Sequence, residues 1–411
     1  MLGTVLEKLS ALLPKNFIIA AFFPVLFFAG ANGFMLYLTS EAFRGWLISY
    51  SEMDAAKQAL YSVPALISIA FVAYVFSALN LSLRRVLEGE SIPEWLRVRL
   101  TAGQRAKYGR QDLLLDEKRR DWWELKTREK DWFKRLDAAW EEGRVQTATP
   151  CAYSPGEAIP KLIAQRTAYK QIEPGVLDAA VEELAQELKK CAAGNVELHD
   201  HDYENKKCLN DDDEALRGVI VYATSFAEDR YVRQLNWREF NYSPYRIAPT
   251  ALGNVAESAR GYARSRYGIN LDPFWLRLQK IVQDDAGFYA ILSDAKTQLD
   301  FLVGLFWLTI VLTAGWLITL VYIRQGAWLF LAIGVAGPLL AFLWYQLALQ
   351  NQRAFADVLG TAVDLYRFKL LDALHVERPH NSLHERQTWT TLNQLIGYGE
   401  DVDIKYARKT D

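Results

Sequence analysis

Cys191, His199, His201 and Cys208 place four zinc-capable side chains within 18 residues, in a C-x7-H-x-H-x6-C order. Zinc takes thiolate and imidazole ligands in tetrahedral sites, but it usually draws its cysteines from tight C-x2-4-C knuckles, so this spacing is irregular. Asp200, Asp202 and Asp211 to Asp213 beside them suit a solvated loop in which the histidines are incidental, and the sequence accordingly implies no metal and no cofactor. His380 and His384 lie one helical turn apart next to Glu385, yet there is no H-E-x-x-H, and Pro379 marks a helix start where polar residues belong. The sequence also lacks phosphate-cradling glycine motifs, a G-x-S-x-G elbow and paired carboxylates in an apolar setting, which argues against a dedicated catalyst.

A richer pattern for ligand binding is KRRDWWELKTREKDWFKR, Lys118 to Arg135. Lys118, Arg119, Arg120, Lys126, Arg128 and Lys130 are interleaved with Trp122, Trp123 and Trp132, against Asp121, Glu124, Glu129 and Asp131. Basic groups hold phosphates and indole faces stack bases, the combination by which single-stranded nucleic acid or nucleotides are gripped without sequence readout. The competing reading is an amphipathic helix whose tryptophans pack inward while its charges pair at i,i+4. On that reading Trp123, Trp132, Leu136 and Trp140 approximate one apolar stripe.

The elements that must carry these residues follow from where charge is missing. The 411-residue chain is balanced, with 47 basic and 49 acidic residues, so net charge names no partner. Asp, Glu, Lys, Arg and His are absent from four segments, 16–40, 58–83, 301–323 and 325–352. As helices, all four are long enough to cross a hydrocarbon core of about 30 Å at about 1.5 Å per residue. Lacking polar relays at that depth, they do not suit a proton- or ion-coupled transporter. Lys15, Arg84, Arg85, Lys296, Arg353 and Arg367 flank one side of these segments, while only Arg44, Lys57 and Arg324 flank the other. That bias puts both termini inside. The expected fold is an all-α integral membrane protein with four transmembrane helices and a helical cytoplasmic domain at 84–300. An interfacial amphipathic helix at 1–14, a cytoplasmic helical segment at 353–411 and an outer loop from Ser40 to Leu60 complete it. Three cysteines within the inner segment fit a reducing compartment.

Inside 84–300, the charged run from Pro93 to Arg144 reads as a long helix or helical hairpin. Helices are expected near Lys161 to Gln171, Gly175 to Ala193 and Ala215 to Leu235, the last preceded by the polar stretch GNVELHDHDYENKKCLNDDDE. In PTALGNVAESARGYARSRYGINLDPFWLRLQKIV, Pro249 to Val282, Asn254 is expected to cap a helix that ends at Gly268 in a left-handed stop. Asp272 and Pro273 then cap and start another helix, with Phe274, Trp275, Leu278 and Ile281 on one side. Asn254, Gly268, Asp272, Trp275 and Arg277 thus read as residues of a structural coupling between the inner domain and the third apolar segment.

PTALGN, RYG and Trp275-Leu276-Arg277-Leu278 stand with NLSLRRVLEGE after the second apolar segment, and with AVDLYRFKLLDAL and HERQTW after the fourth. Together they resemble an uncharacterised bacterial membrane protein family in which a PT-x-LGN…RYG…W-x-RL element precedes a transmembrane hairpin. Phe274-Trp275-Leu276 departs from the Trp-Pro of that pattern. The resemblance implies a multi-pass protein of the bacterial inner membrane and carries no activity and no catalytic residue.

The function expected from these features is an oligomeric channel or pore-forming effector gated by its cytoplasmic domain, with antiphage defence as one setting and a nucleotide or oligonucleotide as ligand. Gly30 with Gly33 and Gly334 with Gly337 allow close helix approach, so a homo-oligomer in the lipid bilayer is expected. A non-conducting scaffold that recruits a cytoplasmic protein partner is the alternative, ahead of a membrane-bound hydrolase.

Overall fold

The computed structural model of the protein describes residues 14–145, 158–191, 200–324 and 326–406. Among these residues every regular element is helical, apart from one isolated antiparallel bridge between Val376 and Tyr406. In chain order the helices are α1 (Lys15–Thr39, with a π-helical turn at Ile18–Phe22), α2 (Glu41–Ser51), α3 (Ala55–Glu88), α4 (Glu94–Val145), α5 (Ala158–Thr167) and α6 (Pro174–Cys191). They continue with α7 (Asp200–Asn241), α8 (Ala251–Tyr267), α9 (Leu271–Gln283), α10 (Ala286–Tyr322), α11 (Ala327–Ala373) and α12 (Ser382–Asn393). Two compact units divide them: Met1–Ala106 with Glu239–Asp411, and Lys107–Arg238. The expected helix at 1–14 lies outside the described residues, except for Pro14.

In the first unit, α1, α3, α10 and α11 are long and apolar enough to cross a membrane. Three of them extend well beyond what spanning needs. α11 has 47 residues, about 70 Å at about 1.5 Å per residue, against a core of about 30 Å. The expected boundaries at 300/301 and 352/353 are therefore not breaks: α10 starts at Ala286 and α11 continues to Ala373 without interruption. The expected outer loop contains α2, whose N-cap Ser40 accepts from the Phe43 backbone N–H at 3.2 Å. Where charge resumes, α8, α9 and α12 pack with α10 and α11 around one core that includes Leu252, Phe274, Leu299, Val363, Leu371 and Trp389. Phe274 and Trp389 meet edge to face, with centroids 5.5 Å apart.

The second unit has its own core of α4, α5, α6 and α7. Leu125, Trp132, Leu136 and Ala139 of α4 face Leu177, Val181, Leu184 and Leu188 of α6 and Leu216, Val219, Ile220 and Ala223 of α7. All recur at three-, four- or seven-residue intervals, as one face of a helix requires. The expected α4 stripe needs correction at Trp123, which is exposed. Nine residues separate Trp123 from Trp132, two and a half turns, so the two point to opposite faces, whereas Leu125 lies two turns from Trp132 and is buried. The polar stretch expected as a separator is helical from Asp200 onward, and Asp213 sits within α7 accepting from Arg217 at 2.9 Å.

Candidate functional site

The densest specific contacts in the first unit surround the sequence Pro249 to Asn254. Thr250, the N-cap of α8, accepts from the Gly253 backbone N–H at 3.0 Å and donates its hydroxyl to the Leu87 carbonyl at 2.6 Å. One side chain thus serves the first turn of α8 and the last turn of α3. Any Cβ at Gly253 would collide with the carbonyl oxygen of Glu88, so backbone rests on backbone. α3 stops at Gly89 (φ 87°), against the ring of Pro249.

Asn254 is not the cap expected from the sequence. It lies one turn inside α8, 1% exposed, and its side chain folds back toward the helix start, as helical Cα–Cβ bonds do. There it accepts from the Ala248 N–H at 2.7 Å and donates to the Ala248 carbonyl at 3.2 Å and to Gln104 Oε1 at 3.3 Å, closing the loop that leads into the helix.

Gly268 ends α8 in the expected left-handed conformation, φ 81°, with its N–H on Arg264 O and the Ile269 N–H on Ala263 O. Asn270, rather than Asp272, caps α9, accepting from the Asp272 N–H at 3.4 Å; a capping side chain must precede the first turn, and Asp272 is already in it. Asn393 of α12 spans the turn, donating to the Gly268 carbonyl at 2.8 Å and accepting from the Asn270 N–H at 3.2 Å. Arg386 donates to the carbonyls of Ser265 at 2.6 Å and Arg266 at 3.2 Å, at the end of α8. Trp275 is half-buried against the core, while Arg277 donates to the Pro273 carbonyl of its own helix at 2.7 Å.

α11 joins through Asp364, which accepts from the Tyr262 hydroxyl at 2.8 Å and the Tyr267 hydroxyl at 2.7 Å. Burial, with the Asp364 carboxylate adding to it, pushes Tyr262 up to about 12. Arg367 pairs with Glu385 of α12 at 2.8 Å and lies 4.3 Å from the Tyr267 ring centre. Tyr366 donates to Asp285 at 2.7 Å and is likewise pushed up to about 12, by burial and then by that carboxylate.

At the charged end of the apolar helices runs an ionic network that sequence reading missed. Arg84, 15% exposed, pairs with Glu88, 6% exposed, at 2.8 Å, and donates to Gln352 of α11 at 3.2 Å. Arg260 of α8 reaches Glu88 at 3.7 Å, Glu90 at 3.5 Å and Glu257 at 2.9 Å. Burial works against the charge on Arg260, and Glu257, Glu88 and Glu90 outweigh it, so its pKa is raised. Trp307 of α10 donates to the Leu83 carbonyl at 3.1 Å. The i,i+4 spacing of Arg84 and Glu88 at the end of an apolar segment was the available signal. The sequence patches NLSLRRVLEGE, PTALGN with RYG, and AVDLYRFKLLDAL with HERQTW therefore form one contact region, a joint among α3, α8, α11 and α12.

The Lys118 to Arg135 residues do not converge on one surface. Within α4, Arg119 pairs with Asp116 at 2.9 Å, Lys126 with Glu129 at 2.9 Å, Arg128 with Glu124 at 2.8 Å, and Lys118 with Glu117 at 2.6 Å. Arg120 leans on its own helix, its guanidinium 3.4 Å from the Asp116 carbonyl. Trp132 is fully buried and donates to Asp178 Oδ1 at 2.6 Å, and Trp122 stacks on Tyr231, centroids 5.3 Å apart. Arg119, Trp123, Lys126 and Lys130 do share an exposed face, at turns i, i+4, i+7 and i+11. Of the metal candidates, His199 and the side chains of Cys191 and His201 lie outside the described residues, and Cys208 is exposed. Among the described residues no group of three or more His, Cys, Asp or Glu could hold a metal ion. His380 is exposed and His384 half-buried, on either side of Asn381, the N-cap of α12.

Comparison with protein-family models, curated proteins and solved structures gives no match.

Proposed function

We propose that the protein is a multi-pass protein of the bacterial inner membrane, both termini inside, acting as an oligomeric channel or pore-forming effector controlled from its cytoplasmic part. The observation that carries this reading is the joint, where α8 sits on the end of α3 so closely that no side chain fits at Gly253. An anchor needs only a tether. A device that moves membrane helices needs inner helices seated directly on them, with the ionic partners Arg84, Glu88 and Arg260 holding the seat. Four helices of one chain enclose little, so a pore takes several copies. The exposed Arg119, Trp123, Lys126 and Lys130 face of α4 is the proposed contact for a nucleotide or short single-stranded oligonucleotide.

Full-length protein in liposomes loaded with an ion-sensitive dye tests the proposal. Flux through the wild type, altered by Gly268→Val at unchanged insertion, is the expected result. If both proteins insert and fold yet match protein-free liposomes, with and without oligonucleotide, the channel is overturned and the scaffold recruiting a cytoplasmic partner replaces it.

A further inference from the structure

We infer that α1, α10 and α11 form a binding groove for one hydrocarbon chain of a membrane lipid; the inference rests on the membrane reading above. The groove follows from how α1 is seated. At its base, Ala21, Phe22 and Val25 cluster with Ala73 of α3, and Pro24 lies against Gly304 of α10. At the other end, Met35 clusters with Trp316 and Leu320 of α10 and Leu329 of α11, and Trp316 Nε1 donates to Asn32 Oδ1 at 3.0 Å. Between these two plugs lies a cavity of 460 Å³, with Phe28, Leu305, Leu312, Ile333, Leu340 and Trp344 in its walls. Among the described residues Thr309 and Thr313 bring the only hydroxyls to the lining, and that of Thr313 is donated to the Thr309 carbonyl at 2.7 Å. The walls are otherwise hydrocarbon and aromatic, and they select an apolar occupant.

Size identifies the occupant. An apolar cavity of about 150 Å³ takes one six-carbon ring, so 460 Å³ takes roughly eighteen carbons, the content of one acyl chain. The lining runs along α10 from Phe301 to Trp316, about 22 Å at about 1.5 Å per residue, so the space is long and narrow. A helix from a second copy is the rival filler. One turn of helix about 10 Å across and about 5.4 Å long displaces roughly 400 Å³, so a helix seated along the whole groove needs several times the volume present. Leaving the walls without partners would forfeit their dispersion contacts, and in a bilayer the acyl chain is the filler at hand.

The test uses the full chain in nanodiscs doped with a phosphatidylethanolamine that carries a diazirine on one acyl chain. Carbonate extraction comes first, because release of the protein would sink the membrane reading itself, separately from the groove. After illumination, label is expected on Phe28 and Leu312 at about tenfold over Ile67 and Phe71 on the exposed face of α3, the ratio that a preference of about 1.4 kcal/mol produces. Ala31→Phe and Ala336→Phe, each checked for unchanged melting, are expected to abolish the excess. Even labelling of groove and α3 in the wild type overturns the inference, as does an excess untouched by both filled variants. Efficient disulfide trapping between copies at Phe27→Cys overturns it too, by assigning the groove to a second copy of the chain.

Discussion

The hydrogen that Gly253 carries in place of a methyl decides whether α8 can sit on α3. Gly253→Ala forces a methyl into the Glu88 carbonyl and is expected to cost about 1 to 3 kcal/mol, as overpacking does, read as a lowered melting temperature in nanodiscs. Gly109→Ala, inside α4, is the control: among the described residues nothing lies within 4 Å of the added Cβ, so the change should be neutral or stabilising by up to about 1 kcal/mol. Tyr262 gives the joint a pH signature. Its hydroxyl is pushed up to about 12 in the folded protein, by burial and by Asp364, whereas an unfolded chain releases that proton near about pH 10. Between those values the unfolded chain has lost the proton and the folded chain still holds it, so rising pH favours unfolding. The contribution is intact below about pH 10 and lost as pH climbs through about 12. Tyr262→Phe is expected to flatten the fall in melting temperature across that window, and Tyr366, also pushed up to about 12, supplies slope that remains.

Along α4 the tryptophans divide the candidate ligand site from the core. Trp132→Ala should destabilise the protein by about 3 to 5 kcal/mol, since it empties a fully buried position and removes the donor to Asp178 Oδ1, leaving that carboxylate only Arg128 among the described residues, whereas Trp123→Ala should be nearly silent in a thermal melt. Triple replacement of Arg119, Lys126 and Lys130 by Gln should leave melting unchanged and weaken oligonucleotide binding with a shallower salt dependence. The sequence could not choose between Trp123 and Trp132, because a run of three tryptophans among mixed charges fits either face until α6 and α7 supply the partners. It could read Gly268, since a glycine after a basic, amphipathic turn is a left-handed stop by chemistry alone. The start of the same helix was out of reach: Thr250 and Asn254 are both good caps one turn apart, and the choice falls to the Leu87 carbonyl, 163 positions away. Helix ends were equally hidden, since the charged residues before Phe301 and after Gln352 suit a helix as well as the apolar ones do. The partnership of Glu88 with Arg260 is tertiary, and no local spacing announces it.

For the molecule as a whole, the basic-residue bias makes a topology that reporters can check. Fusions after Asp411 and insertions near Thr147 should read cytoplasmic, and an insertion near Ser51, at the end of α2, should read external; an exchange between these classes defeats the assignment. The course of α11 adds a mechanical consequence. Its tightest crossing is at Gly337, where a methyl would strike Thr313 of α10, and Pro338 follows at once. From there to Ala373 the helix continues through Gln352, Asp364 and Arg367, an arm of about 54 Å, while the arm back to Ala327 measures about 15 Å. That is a lever with unequal arms, its fulcrum among the apolar helices and its long end in the joint. A tilt of about 5° sweeps the long end through about 4.7 Å, nearly the helical pitch of about 5.4 Å, and shifts the short end by only about 1.3 Å. Whatever pulls on the long end works with a mechanical advantage of about three and a half, trading distance for force on the short end.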